Sequence, residues 1–436
     1  MDFWLLMPSR FFLDRSLNSK RSLNISPNVV IAMFTFAGFV IYSIFAFSFG
    51  PIMTPDGLRD IFFADKLISV NLNPFAFPDA YTPYLDEVAY SLPPTNFLIY
   101  IYLLSGLRGL LGNEWLAGLL VFNALAQSIT TALLLLVVRD LTRNILCIVI
   151  AGVFIITGFE FFQWVSMSQS DTLFLLVVTA IFYFLSKASV AAHEPGKRRY
   201  FLTATFVATA SLFVRPSGIA IASAFSLVMI FLFLRNRSPK TIDVRLFLIL
   251  TTGVVVCLVA AFVAFGHLLH QPELLGEGPL RGRVLFLKET FDLGWVIWSR
   301  PETFVTPPST PFEYTMLSIH RLYYFFWFIG DTFSFSHKLF NVLYFVPFYT
   351  LCLLGVTFAL IDKSGIHGSC RLMAMYSLMF IFAIDALHAA TILDFDWRFR
   401  APALPGFVIL FSIGLRFSLD RIKILRPLVA KAEIGQ

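Results

Sequence analysis

The chain has 436 residues, of which 58% are hydrophobic and 14% charged, with a mean hydropathy of +0.78 and a formal net charge of +6. Soluble domains carry about 25% charged residues, so an apolar excess of this size cannot be enclosed in one water-soluble core. The basic balance does not point to nucleic acid, because the charges are scattered between long apolar runs, where they act as orientation signals.

The first 28 residues carry Arg10, Arg15, Lys20 and Arg21 and form a cytoplasmic segment ahead of the first span, residues 29–49. That run is too long for a signal-peptide core, so it is expected to remain in the mature chain. Further spans are expected at 115–138, 145–165, 172–185, 201–214, 219–234, 246–266, 339–361, 372–391 and 403–415. The runs are helix-long and do not alternate, which excludes a barrel. The predicted fold is an all-α integral membrane protein of about 10 transmembrane helices, about 12 at most, with outer-face juxtamembrane helices.

Two stretches, 94–111 and 316–333, are interrupted by Arg108 and by His320, Arg321 and Asp331. Treating both as juxtamembrane puts the basic loops after residues 138, 185, 234 and 361 on one side, together with the tail 419–436. Both termini are then cytoplasmic. A polytopic domain over 29–418 presents two long outer loops, 50–114 and 267–338, rich in Pro, Gly and acids. The expected location is a bacterial inner membrane with the working face outside. Cys147, Cys257, Cys352 and Cys370 have no metal or disulfide spacing.

In the first outer loop Pro55 and Asp56 read as a helix start, with Asp60 one turn later on the same face. A carboxylate there either caps the helix or takes a proton from an incoming hydroxyl. Ser170 and Asp171 head a span, Glu160 precedes them, and Asp385 with His388 sits in a later one. Ionisable groups gathered toward one face suggest a polar pocket, although capping accounts for Asp171 as well. Arg215 in the turn Arg-Pro-Ser-Gly, and Arg398 and Arg400 before Pro402 and Pro405, are forks suited to a lipid phosphate or to snorkelling. His320 and Arg321 are similar. The group Trp295, Trp298, Tyr314, Tyr323, Tyr324 and Trp327 either belongs to an interfacial belt or covers a sugar or lipid.

Taken in order, these segments resemble the GT-C superfamily of polyprenyl-phosphate-dependent glycosyltransferases, including protein mannosyltransferases, aminoarabinose transferases and polyprenyl-phosphomannose-dependent mannosyltransferases. The resemblance rests on Pro55-Asp56 with Ala64 and Leu67, on Tyr90 to Pro94 followed by residues 97–112, on Ser170-Asp171, on Phe213-Val-Arg215-Pro-Ser-Gly, and on Arg398-Phe-Arg400-Ala-Pro402-Ala-Leu-Pro405. Asp60 stands where many members have Tyr, and Thr95-Asn96 where many have an aromatic. The resemblance implies inverting transfer of a mannose-type hexose or a pentose from a polyprenyl-phosphate donor to a glycan, lipid or protein hydroxyl at the outer face. Asp56 would be the general base, and Asp171 would support the site or, with Asp56, a divalent metal such as Mg or Mn. Arg215, Arg398 and Arg400 would hold the departing phosphate, and Asp60, Asp86, Glu87, His320 and Arg321 would lie in the acceptor and donor loops. The competing expectation is a transporter or flippase of a lipid-linked glycan.

Overall fold

The computed structural model describes residues 26–73, 94–191, 194–234, 268, 271–275, 288, 309–330, 333–361, 368–391 and 397–434. The N-terminal segment before residue 26, the predicted span 246–266, Asp86, Glu87, Trp295, Trp298 and the side chain of Arg398 lie outside the described residues.

Helix α1 (Pro27–Phe49) begins at Ser26, whose hydroxyl accepts from the Asn28 amide, and ends at Gly50 with φ +68°. Helix α2 (Pro55–Ser69) is short and amphipathic. Its inner face packs on α3 (Leu98–Leu111) through Phe63, Ala64, Leu67, Tyr100, Ile101 and Leu104. Gly112, at φ +53°, makes the joint into α4 (Trp115–Thr142). The run Leu98–Thr142 is apolar over 45 residues, about 68 Å of helix at 1.5 Å per residue, more than twice the hydrocarbon thickness. It therefore cannot be one span, and α3 is committed to α2.

Helix α5 (Ile145–Thr157) was expected to run to residue 165 as one span, but it breaks at Gly158 and bends by 67° into Phe159–Ser166. A methyl group at Gly158 would collide with the Tyr344 hydroxyl and the Phe154 carbonyl, so the break needs glycine there. Then follow α6 (Asp171–Val190), α7 (Glu194–Ser211), α8 (Gly218–Leu234), α9 (Pro311–Phe326), α10 (Phe335–Ile361), α11 (Gly368–Thr391) and α12 (Leu404–Ile434). Helix α12 runs on past the apolar stretch Arg400–Ile422 to Ile434, so most of the predicted tail 419–436 is helical.

Six helices, or seven with the bent pair, are long and apolar enough to cross a membrane among the described residues. The lipid-facing sides of α1 and α10 expose Met33, Phe36, Ile44, Leu339, Leu343 and Leu353. No strand occurs among the described residues, only an isolated parallel bridge between Ile52 and Met167. This is an all-helical, multi-pass membrane protein. Its centre is α12, packed on α10, α11 and α4. Helices α10 and α12 touch backbone to backbone, since a side chain on Gly355 or Gly414 would run into the carbonyl of Leu410 or Leu351.

Candidate functional site

At the α2 end of α1, two chain segments are stitched together. The Ile52 amide donates to Ser166 O at 2.7 Å, and the Ser168 amide donates to Ile52 O at 3.1 Å. Asn123 of α4 holds the second segment from behind, donating to Val165 O and Met167 O, both at 3.2 Å. Thr54 caps α2 by accepting from the Gly57 amide at 3.0 Å, and its hydroxyl donates to Gln169 Oε1 at 3.3 Å. Gly57 rests so closely on Ser168 that any side chain there would strike its backbone. Asp56, in the first turn of α2, is thereby fixed beside the start of α6, where Asp171 sits.

Four of the residues singled out from sequence come together here: Asp56, Asp60, Asp171 and Arg215. Arg215 donates through Nη1 to the Asp171 carboxylate, and both side chains are buried. The turn that carries Arg215 is held by the Ile99 amide, which donates to Phe213 O at 3.0 Å, so α3 and this turn close the site together. Tyr100, fully buried on α3, lies within electrostatic reach of both Asp60 and Asp171. Among the described residues the rest of the Arg215 fork makes no hydrogen bond.

Sequence reasoning missed Arg59. Its Nε and Nη2 donate to Asp60 Oδ1 at 3.0 and 2.8 Å, and its Nη1 donates to Asp56 Oδ1 at 3.3 Å. The guanidinium lies 4.1 Å from the centre of the Phe97 ring. The usable signal was the spacing: Asp56 three residues before Arg59 puts both on one helix face. Asp60 is 1% exposed. Burial pushes its carboxyl up to about 6 against the opposing charge and hydrogen bonds of Arg59, with Asp56 adding to the rise and Arg215 opposing it.

A second group forms around Arg400. Its Nε donates to Glu160 Oε2 at 3.0 Å and its Nη2 to Glu160 Oε1; Nη1 donates to Phe325 O, Trp327 O and the Tyr349 hydroxyl at 3.1, 2.9 and 3.0 Å. The Phe345 ring lies 4.8 Å from the guanidinium carbon. The expectation that Arg400 offers an open fork to a phosphate is corrected here, because its donors are committed to Glu160 and to the end of α9. Beside the Arg400 group lies a cavity of about 730 Å³, which reaches Thr54 and Gln169 but is not lined by Asp56, Asp60, Asp171 or Arg215. Phe159, Phe340, Tyr344, Phe345 and Phe348 line its apolar part, and Thr54, Gln163, Gln169, Glu160 and Arg400 its polar part. Phe159 and Phe340 are also half-exposed at the surface, so the cavity opens beside α10.

His320 and Arg321 are not brought to Asp56. Arg321 is buried between α9 and α11 and donates to Ala389 O at 3.3 Å, while His320 packs on Tyr324 at 4.5 Å. Asp385 is fully buried, and His388 Nε2 lies 3.4 Å from the hydroxyl of Ser217, in the turn that carries Arg215. Asp56 and Asp171 each already contact an arginine, and no cluster of three or more His, Cys, Asp or Glu suited to a metal occurs among the described residues.

No protein-family model, no curated protein and no solved structure matches the chain.

Proposed function

We propose that this chain is a membrane glycosyltransferase that moves a sugar from a polyprenyl-phosphate donor to an acceptor hydroxyl, with inversion. The supporting observation is one amphipathic cavity, aromatic toward the lipid-facing surface and polar at Thr54 and Gln169, where the cap of the Asp56 helix begins. Such a shape suits a ligand with a hydrocarbon tail and a polar head. The tail lies among Phe159, Phe340, Tyr344 and Phe348, and the head reaches the α2 N-terminus.

Asp56 then accepts the proton of the acceptor hydroxyl as its oxygen attacks the anomeric carbon. The bond from that carbon to the phosphate oxygen breaks, and the lipid phosphate leaves carrying the electron pair. Arg215, whose fork is only partly used by Asp171, is the guanidinium for the charge that develops there. Arg400 instead fixes the cavity wall. In this assignment about ten spans enclose the domain, both termini are cytoplasmic, and the site faces outward from a bacterial inner membrane.

Membranes containing Asp56→Asn, incubated with radiolabelled polyprenyl-phosphate sugars, are expected to lose at least about 100-fold of the transfer rate, the scale of a lost general base. Expression and membrane insertion are expected to be retained. Incorporation equal to wild type would refute Asp56 as the base.

A further inference from the structure

Asp56 and Asp60 share one cation. The stronger claim belongs to Asp60, which takes two donors of Arg59 at 2.8 and 3.0 Å, whereas Asp56 takes one at 3.3 Å. Asp56 is 44% exposed and open to a substrate; Asp60 is 1% exposed and closed to one. The guanidinium lies over the Phe97 ring, and the Arg59 side chain is 10% exposed, so its charge is held largely away from solvent. Among the described residues, the carboxylates that take its hydrogen bonds are those of Asp56 and Asp60.

We propose that Asp60 is a positioning residue that acts through Arg59 on Asp56: ionised Asp60 draws the guanidinium charge inward and leaves Asp56 able to accept a proton, and protonated Asp60 releases that charge onto Asp56. This rests on Asp56 being the base of the transfer reaction. A carboxylate compensated by a full positive charge holds a proton less readily than one sharing that charge with a neighbour. Only the buried partner titrates with no route to substrate, so the pair separates the group that reacts from the group that sets its strength.

The surroundings favour titration of Asp60 in a useful range. Its Oδ2 is buried and makes no hydrogen bond. Besides Arg59 and Asp56 on its own helix, the groups that face it are Tyr100 of α3, Arg215 of the turn before α8, and, across Tyr100, Asp171 of α6. Burial outweighs the arginines and leaves the carboxyl at about 6, so Asp60 is ionised at neutral pH and becomes protonated as the pH falls through that value.

The test is the pH profile of transfer by the full-length protein in membranes, for wild type, Asp56→Asn, Asp60→Asn and Asp60→Glu. Wild-type kcat is expected to fall as pH drops through about 6. Asp60→Asn, which is neutral at every pH, is expected to lose that limb and to show kcat lowered about three- to tenfold at pH 7.5 with KM within about twofold. Asp60→Glu is expected to restore the limb, a rescue that separates charge control from simple disruption of the fold. An inactive Asp56→Asn together with an acid limb unchanged in Asp60→Asn overturns the role of Asp60 alone. Full activity of Asp56→Asn overturns the base assignment, and the role of Asp60 with it. If Asp60→Asn does not reach the membrane, the comparison of Asp60→Glu with wild type decides: a limb at the same pH and the same kcat supports charge control, and loss of the limb overturns it.

Discussion

Asp171 and Arg215 are buried together, at 4% and 8% exposure. Two charges in that setting have surrendered most of their hydration, and each offsets that loss for the other. Asp171→Asn takes the carboxylate away from the buried Arg215 guanidinium and Arg215→Gln takes the guanidinium away from the buried Asp171 carboxylate, so each single change is expected to destabilise the protein by about 3–5 kcal/mol. The double variant Asp171→Asn/Arg215→Gln removes both charges and is expected to recover most of that loss. Thermal unfolding of the four proteins in one detergent measures this directly. A double variant as unstable as the sum of the two singles would mean that the pair contributes no coupling. Transfer activity is expected to stay lost in the double variant if Arg215 meets the leaving phosphate as proposed. Stability and activity thus part company at this pair, which distinguishes a structural ion pair from one that also serves the substrate.

At the scale of elements, the decisive contact is α2 against the segment 166–170. Gly57 lies in the first turn of α2 against the Ser168 backbone, where rigid main chain leaves a methyl group no room. Gly57→Ala must push α2 away, straining the Thr54–Gln169 hydrogen bond and the Ile52 bridge. The expected cost is about 1–3 kcal/mol, as for overpacking elsewhere, with kcat for transfer reduced more than KM, because α2 carries the proposed base while the tail cavity is left in place. Unaltered melting temperature and unaltered kcat would show that the contact is slack. Much of α2 was legible beforehand: Pro55 and Asp56 are helix-start residues, and Asp56 and Asp60 fall on one face. The contact across to Ser168 was not, because it joins residues more than a hundred positions apart and glycine at 57 reads equally well as a flexible loop. The bend at Gly158 was hidden for a similar reason. Residues 145–165 stay mostly apolar across the bend, and it is the Tyr344 hydroxyl, brought in by α10, together with the Phe154 carbonyl that leaves no room for a side chain at Gly158. The Glu160–Arg400 pairing likewise depends on α12 and the bent segment meeting, and no local pattern announces it. Arg59 was the one omission that spacing could have supplied.

At the scale of the whole molecule, the two ends of α1 differ in chemistry. One end leads through Gly50 and Ile52 into the Asp56 site. The other, at Asn28, accepts a hydrogen bond from Arg139 Nη1 at 2.7 Å, and Arg139 and Lys187 both reach Asp140 there, at 2.7 and 2.8 Å. The 23 residues of α1 separate these ends by about 35 Å, slightly more than a hydrocarbon core. The site and the basic cluster therefore belong to opposite faces of the membrane. Basic residues near span ends favour the cytoplasm, and on that rule the proposed orientation has Asp56 outside. In this proposed orientation α2 and its partner α3 are on the outer face and the end of α4 on the inner one; Leu72 is exposed just beyond α2, and Arg143 ends α4 with a left-handed φ of +48°. In a background lacking the four native cysteines, Leu72→Cys is expected to react with a membrane-impermeant maleimide in intact cells. Arg143→Cys is expected to react only after permeabilisation. The reverse pattern would turn the protein over and put the proposed base on the cytoplasmic side, where an outer-face acceptor could not reach it. Reaction of both positions in intact cells would mean that α1 and α4 do not separate the two compartments. The measurement needs no substrate, so it decides sidedness independently of whether the chain transfers a sugar.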